Sequence, residues 1–212
     1  MELIQPRIEN YAALLTSDQN DLLNEVEHFT NANHPKAHMI SGRVQGRILS
    51  LLSRMMQPEF ILEIGTFTGF SALCLAEGLK PGGELHTIDI REEDANTAKG
   101  FFDRSTYRGN IKLHIGDARQ IIPDLQRIWD IVFIDADKTG YIEYYELILP
   151  SVKKNGLIIA DNVLFHGDVL QDPIKGKNAI AIDTFNRHVL ADDRVDQVLL
   201  TQRDGLLVIM KK

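Results

Sequence analysis

The stretch that most constrains the fold of this chain runs from Phe60 to Ser71 and reads FILEIGTFTGFS. It opens with four apolar residues around Glu63, which is the composition of a short strand buried on both faces. Gly65 and Gly69 follow, and glycine allows the backbone to turn sharply into a helix. Their spacing departs from G-x-G-x-x-G, the pattern that leaves room for the diphosphate of a dinucleotide. The stretch therefore predicts a strand, turn and helix that bind a nucleoside with an amino-acid tail rather than NAD.

Acidic residues stand near the ends of the first two predicted strands. Glu63 lies one residue before the end of the first strand, where its carboxylate could meet a cationic or hydroxyl-bearing ligand. The second strand, predicted over residues 85–89, ends at Asp89. An acid at that position commonly accepts hydrogen bonds from ribose hydroxyls. The alternative is a local one, in which Asp89 caps the helix that begins near Arg91.

Strands and helices alternate through the middle of the chain. Strands are predicted at residues 60–65, 85–89, 111–115, 131–135 and 157–161, with helices at residues 70–78, 92–105, 118–128 and 141–152 between them. Such alternation is typical of a parallel sheet covered by helices on both faces. A helix at residues 178–190 and two strands at residues 195–201 and 206–210 complete the chain, and the Asp-Gly turn between these strands predicts a hairpin. We therefore expect an α/β fold with a seven-stranded, mostly parallel sheet and an antiparallel last strand.

The first 57 residues precede the predicted sheet. A helix is expected at residues 17–32 with Ser17 as its cap, and a second helix after Met39 to Ser41, with Pro35 between the two. We expect one domain of 212 residues, in which residues 1–57 form a lid or dimer contacts and residues 58–212 form the core.

Composition narrows the classes of protein and of partner. The single cysteine, Cys74, excludes a disulfide framework and favours a reducing, cytoplasmic setting. No apolar run approaches the length of a membrane span, and the N-terminus lacks the pattern of a signal peptide. The formal net charge of −7 argues against a broad nucleic-acid-binding surface. We expect a small-molecule substrate.

Oxygen-bearing side chains follow two of the later strands. Asp135 ends one strand, and Asp161 and Asn162 end the next. Because the carboxyl ends of parallel strands meet at one edge of the sheet, these oxygens should converge, and they suit a hard cation such as Mg²⁺. The local alternative is that Asp161 and Asn162 only begin a turn. Lys138 follows at the mouth of this site, either as a general base whose pKa is lowered by its surroundings or as a solvated partner of Asp137.

Five motifs together resemble the cation-dependent O-methyltransferases that include the caffeoyl-coenzyme A and catechol enzymes. They are GTFTGFS, TIDI, GDA at residues 116–118, FIDADK and ADN, and the resemblance runs from about Met39 to the C-terminus. It implies a Rossmann-like class I methyltransferase that is a homodimer. It also implies a divalent metal, Mg²⁺ or else Mn²⁺ or Ca²⁺, held by Asp135, Asp161 and Asn162, with Lys138 similar to the general base of the catechol enzymes. The implied S-adenosylmethionine site contains Met39, Ser41, Glu63, Gly65, Thr66, Ser71, Asp89, Ala118 and Asp135.

The acceptor expected from the metal site is a small catechol-like ortho-diphenol, which chelates a cation through two adjacent oxygens. His166, in the loop after Asn162, would either contact this acceptor or cap the turn. Three alternatives stay open: a tRNA hydroxyuridine methyltransferase of the same fold, a nicotinamide-dependent oxidoreductase and a binding protein without activity. The tRNA enzyme would need a basic rim, for which Arg43, Arg47 and Arg54 are candidates.

Overall fold

One sheet organises the computed structural model, which describes residues 3–212. Its strands are β1 (Phe60–Ile64), β2 (Glu84–Asp89), β3 (Ile111–Ile115), β4 (Trp129–Ile134), β5 (Val152–Asp161), β6 (Val195–Leu200) and β7 (Leu206–Lys211). They lie in the order β3-β2-β1-β4-β5-β7-β6. Strands β1 to β5 pair in parallel, whereas β7 is antiparallel to both of its neighbours. The predicted seven-stranded sheet with an antiparallel last strand is therefore confirmed.

Helices cover both faces of this sheet, as predicted. They are α1 (Pro6–Leu15), α2 (Asp21–Asn33), α3 (Gly42–Met56), α4 (Phe70–Ala76), α5 (Glu92–Phe102), α6 (Ala118–Leu125), α7 (Tyr141–Ile148) and α8 (Lys177–Leu190). Side chains of α2, α3, α4 and α5 pack in one apolar core, and those of α6, α7 and α8 pack in the other. Within residues 3–212, no helix is long and apolar enough to cross a membrane.

Alternation of side chains along the central strands produces the two cores. In β4, Val132 and Ile134 belong to one core, whereas Ile131 and Phe133 belong to the other, and all four are fully or almost fully buried. Successive residues of a strand point to opposite faces, so an apolar run of this kind requires cover on both sides. The strands therefore form a rigid platform whose carboxyl ends hold the loops described below.

The N-terminal helices differ from the prediction. Helix α1 was not predicted, and the expected start of the next helix at Ser17 is wrong, because α2 begins at Asp21. The cap is Asn20, whose side-chain oxygen accepts a hydrogen bond from the backbone N–H of Leu23 at 2.9 Å. Asparagine is among the most favourable N-cap residues, and this bond satisfies a donor that the helix leaves free.

Several boundaries in the core also differ from the prediction, two of them by four residues or more. Helix α7 ends at Ile148, four residues before the predicted end, and β5 begins at Val152 rather than at residue 157. Pro150 follows the helix end, and its ring removes the N–H that would continue the helix. The early start of β5 accompanies a register shift against β4 between Trp129 and Ile131.

Candidate active site

A cleft of about 870 Å³ lies at the carboxyl ends of the central strands. Among the residues predicted to bind a cofactor, metal or acceptor, those that line it are Met39, Gly65, Asp89, Ala118, Asp135, Lys138, Asp161, Asn162 and His166. Four other predicted residues are buried and do not line the cleft: Ser41, Glu63, Thr66 and Ser71. The topology thus brings most of the predicted residues to one place, in the crevice where open α/β sheets bind ligands.

The glycine turn after β1 passes very close to the end of β4. Gly65 has φ +105°, and a Cβ atom built on it would lie 2.1 Å from the backbone oxygen of Asp135. The Gly65 N–H donates to the carbonyl of Ile88 at 2.9 Å, and the Asp135 N–H donates to the carbonyl of Ile64 at 2.9 Å. The ends of β1, β2 and β4 are therefore held together by backbone contacts that leave no space for a side chain.

Asp89 joins the glycine turn to the end of β2. Its Oδ2 accepts hydrogen bonds from the backbone N–H groups of Thr66 at 3.0 Å and Phe67 at 2.8 Å. Its Oδ1 accepts from the N–H of Arg91 at 2.8 Å. The helix-cap alternative is wrong, because the N-cap of α5 is Arg91 and Asp89 binds only the N–H of that residue, while the same carboxylate lines the cleft. Oδ2 already accepts two hydrogen bonds, whereas Oδ1 accepts one and retains acceptor capacity toward a ligand in the cleft.

Glu63 lies beneath the turn rather than in the cleft wall. Its side chain is fully buried and accepts hydrogen bonds from Ser71 Oγ at 2.6 Å and Thr87 Oγ1 at 2.5 Å. Burial raises the pKa of Glu63 to about 8, although both hydroxyl bonds act to lower it. The carboxyl group is therefore mostly protonated near neutral pH. Direct contact of Glu63, Ser41, Thr66 and Ser71 with a cofactor stays a prediction.

The predicted metal ligands surround the amine of Lys138. Its Nζ donates to Asp135 Oδ1 at 3.0 Å, Asn162 Oδ1 at 2.9 Å and Tyr141 Oη at 2.7 Å. Tyr141 in turn donates to the backbone oxygen of Asp161 at 2.9 Å. The alternative in which Lys138 pairs with Asp137 is wrong, because Asp135 is its carboxylate partner. The chain therefore places a positive charge among oxygens from two strand ends.

Asp161 completes the group from β5. It is buried, and its Oδ2 accepts a hydrogen bond from Gln45 Nε2 at 2.5 Å, while its Oδ1 accepts the N–H of Asn162 at 2.7 Å. The pKa of Asp161 is raised to about 7, first by burial and then by repulsion from Asp135. A buried carboxylate pair of this kind is stabilised by a nearby cation.

The protein groups around Lys138 raise its pKa, and the lowered pKa expected beside a bound dication stays a prediction. Burial by itself would lower the pKa of Lys138, but the Tyr141 oxygen and the Asp135 and Asp161 carboxylates outweigh it and raise the pKa. Opposite charges at hydrogen-bond distance favour the charged form of an amine. Lys138 is therefore an ammonium group here, and proton acceptance would require its carboxylate partners to be neutralised.

The donor set fits a hard divalent cation. Two carboxylates and one amide oxygen, from Asp135, Asp161 and Asn162, meet at one end of the cleft. Within residues 3–212, no cluster of three His, Cys, Asp or Glu side chains could hold a metal ion, so a site here depends on the amide of Asn162. Mg²⁺ is commonly held by only one or two carboxylates, with other oxygens completing its shell.

His166 lines the cleft, whereas the proposed basic rim does not. The His166 side chain is 71% exposed, its backbone N–H donates to Asp204 Oδ1, and its ring Nδ1 lies 3.5 Å from Asp204 Oδ2, so Asp204 caps this turn and contact of His166 with an acceptor stays a prediction. Arg43 binds the backbone oxygen of Thr16 and Asp18, and Arg47 binds Glu77. Arg43, Arg47 and the exposed Arg54 all lie outside the cleft lining.

The structure adds site residues that the sequence did not reveal: Gln45, Tyr141, Tyr144, Asn178, Arg203 and Asp204. Gln45 is 116 positions from Asp161, and Asp204 is 42 positions from Asn162. For Asp204 the Asp-Gly turn was a visible signal, but it predicted only the hairpin and not the contact with Asn162. Contacts between such distant positions leave no periodic trace in one sequence.

Comparisons with known proteins agree with this geometry. A family model described as O-methyltransferase matches residues 14–212. A probable caffeoyl-CoA O-methyltransferase 2 from Dictyostelium discoideum is 35% identical, covering 96% of this chain and 91% of that protein. A catechol O-methyltransferase from Niastella koreensis is 32% identical, covering 79% of this chain and 80% of that protein. The SAH-bound crystal structure of the Podospora anserina methyltransferase PaMTH1 superposes with a TM-score of 0.89 at 29% identity, covering 97% of this chain and 94% of that one.

Proposed function

Because this chain belongs to the O-methyltransferase family and is an S-adenosylmethionine-dependent O-methyltransferase, we propose that its acceptor is a small ortho-diphenol bound through a divalent cation. The observation that carries the proposal is the convergence of Asp135, Asp161 and Asn162 around the Lys138 amine at one end of the cleft. These residues would hold the cation. When bound, it would supply Lewis-acid chemistry, clamping two adjacent acceptor oxygens and lowering the pKa of one hydroxyl.

The remaining residues would position the two reactants. Asp89 and the Gly65 turn would bind the methyl donor at the ends of β1 and β2. An acceptor hydroxyl beside Asp135 and Asn162 would lie within reach of Lys138 Nζ, which is held by Tyr141 and would accept the hydroxyl proton once its carboxylate partners are neutralised. The acceptor oxygen would then form a bond to the methyl carbon as the carbon–sulfur bond of the donor breaks. Alignment of these atoms is the largest contribution we expect from the protein.

Charge in the cleft supports a small acceptor over tRNA. Seven carboxylate side chains line the cleft, against five lysine and arginine side chains: Glu9, Asp89, Asp117, Asp135, Asp137, Asp161 and Asp204, with Lys36, Arg91, Arg119, Lys138 and Arg203. An acidic cleft suits a sulfonium donor and a dication, whereas an RNA backbone needs a basic surface. The names of the matched relatives include both a coenzyme A ester enzyme and a catechol enzyme, and the cleft charge favours the free diphenol.

The acceptor prediction is tested by comparing kcat/KM values under one concentration of Mg²⁺. We expect 3,4-dihydroxybenzoate to be methylated at least about 100-fold more efficiently than 4-hydroxybenzoate, because one oxygen alone cannot orient the nucleophile. Caffeate, caffeoyl-coenzyme A and hydroxyuridine-containing tRNA complete the panel. Equal rates for the diphenol and the monophenol would refute the chelation model, and a preference for tRNA by orders of magnitude would support the tRNA alternative.

A further inference from the structure

Strands β6 and β7 lie at one edge of the sheet, and the turn between them reaches the end of the cleft that contains Asp135, Asp161 and Asn162. We call this the cation end of the cleft. Asp204, in this turn, has a side chain only 13% exposed. Its Oδ2 accepts a hydrogen bond from Asn162 Nδ2 at 3.2 Å, and its Oδ1 accepts the backbone N–H of His166. Asp204 therefore accepts a hydrogen bond from Asn162, a predicted metal ligand, without being a predicted ligand itself.

The chemistry of the two neighbours determines which way the Asn162 amide faces. The Asp204 carboxylate can only accept hydrogen bonds, so it selects the NH₂ end of the amide. The Lys138 ammonium can only donate, and it lies 2.9 Å from the other end, Oδ1. Both contacts favour the same rotamer, with the amide oxygen toward Lys138 and the amide nitrogen toward Asp204. Only the oxygen of an asparagine side chain can ligate a hard cation.

Backbone contacts hold Asp204 in place. The Leu164 N–H donates to the Asp204 carbonyl at 2.8 Å, and the Val163 N–H donates to the Gly205 carbonyl at 3.2 Å. Gly205 has φ +86°, and a Cβ atom built on it would lie 2.6 Å from Leu164 Cγ, so this turn and the loop after β5 are in tight contact. The position of the carboxylate is thus set by the fold.

We propose that Asp204 is a positioning residue that locks the Asn162 amide with its oxygen toward the cation, a proposal that rests on the metal-dependent function inferred above. Groups that orient a metal ligand commonly change metal affinity by about 10- to 100-fold when they are replaced. Without the Asp204 acceptor, the amide can rotate and present its nitrogen, which repels a cation.

The test is the affinity for Mn²⁺, measured by electron paramagnetic resonance on the purified full chain. We expect Asp204→Asn to bind Mn²⁺ at least about 10-fold more weakly than wild type, since an asparagine at position 204 can also turn an N–H toward Asn162. Affinity for S-adenosylhomocysteine, measured by calorimetry, should change less than about twofold, because Asp204 lies at the cation end of the cleft. That second measurement separates local loss of the metal site from general loosening of the fold.

Asp137→Asn is the matched control for loss of one negative charge. Asp137 lines the same cleft, but its Oδ1 accepts from Tyr144 Oη at 2.6 Å and it makes no hydrogen bond to Asn162. We expect its Mn²⁺ affinity to fall by less than about threefold. Equal losses in both variants, or wild-type affinity in Asp204→Asn, would overturn the positioning role alone. Absence of Mn²⁺ binding by the wild-type chain would overturn the metal-dependent function and this proposal together. If Asp204→Asn does not fold, Asp204→Ser is measured against the same expectations.

Discussion

Replacing Asp161 by alanine is expected to lower methyl transfer by about 100-fold or more, because misalignment of the reactants alone costs that much. Asp161 is one of two carboxylates at the cation end of the cleft, and it is buried beside Asp135. Its removal takes away one of the three protein oxygens proposed to hold Mg²⁺, so the cation is bound more weakly and aligns the acceptor less well. The measurement is kcat/KM with 3,4-dihydroxybenzoate at a fixed concentration of Mg²⁺.

Stability should change much less than activity in this variant. Removal of the Asp161 carboxylate leaves the buried Gln45 amide without its partner, at a cost of about 1–3 kcal/mol, but it also removes repulsion with Asp135. Asp161→Asn is the matched control, because it keeps an acceptor for Gln45 and loses only the charge. We expect thermal unfolding of Asp161→Asn near that of wild type, with a smaller loss of activity than in Asp161→Ala because the amide keeps an oxygen that can ligate a cation. Wild-type turnover in Asp161→Ala would exclude Asp161 as a metal ligand.

Replacing Gly65 by alanine is expected to destabilise the protein by roughly 2–6 kcal/mol, from the combined cost of backbone strain and overpacking. The new Cβ would lie 2.1 Å from the backbone oxygen of Asp135 at φ +105°. Asp135 follows β4, and its N–H donates to the carbonyl of Ile64 at the end of β1. The oxygen therefore cannot move away without breaking the hydrogen bond between these two strand ends. Urea unfolding monitored by circular dichroism measures the change.

The Gly82→Ala variant separates the effect of backbone strain from the effect of overpacking. Gly82 has φ +81°, and a Cβ atom built on it would meet no atom within 4 Å, so this variant carries the strain without the clash. We expect Gly65→Ala to lose at least about 1 kcal/mol more than Gly82→Ala, which is the lower bound for an overpacked site. Equal losses in the two variants would show that the close approach to Asp135 contributes nothing to stability.

Local patterns in the sequence predicted the sheet and the positions of its strand ends. The apolar runs of β1 and β4 are long enough only for buried strands, and the Asp-Gly turn required the last strand to reverse. Because parallel strands end at one edge, the same patterns placed Asp89, Asp135 and Asp161 at one cleft. Their positions beside these strand ends also placed Asn162 and Lys138 there, and the structure brings both to that cleft.

The network around these residues could not be predicted in the same way. Gln45 and Asp204 meet the site through tertiary contacts whose partners are far apart in the chain. The pKa of Lys138 depends on which carboxylate it pairs with, and the sequence offers both Asp137, one residue before it, and Asp135, three residues before it. Helix α1 was missed although Ile8, Tyr11 and Leu15 stand at helical spacing, and in the structure these side chains are exposed rather than packed in a core.

Methyl transfer by the wild-type chain before and after removal of divalent cations tests the metal-dependent function most directly. With S-adenosylmethionine and 3,4-dihydroxybenzoate, we expect product formation to fall at least about 100-fold after exhaustive chelation, because the acceptor loses its alignment, and to recover when Mg²⁺ is added in excess. Cofactor binding should persist in the chelated protein, since Asp89 and the Gly65 turn are independent of the cation. Full turnover after exhaustive chelation would contradict the proposed function.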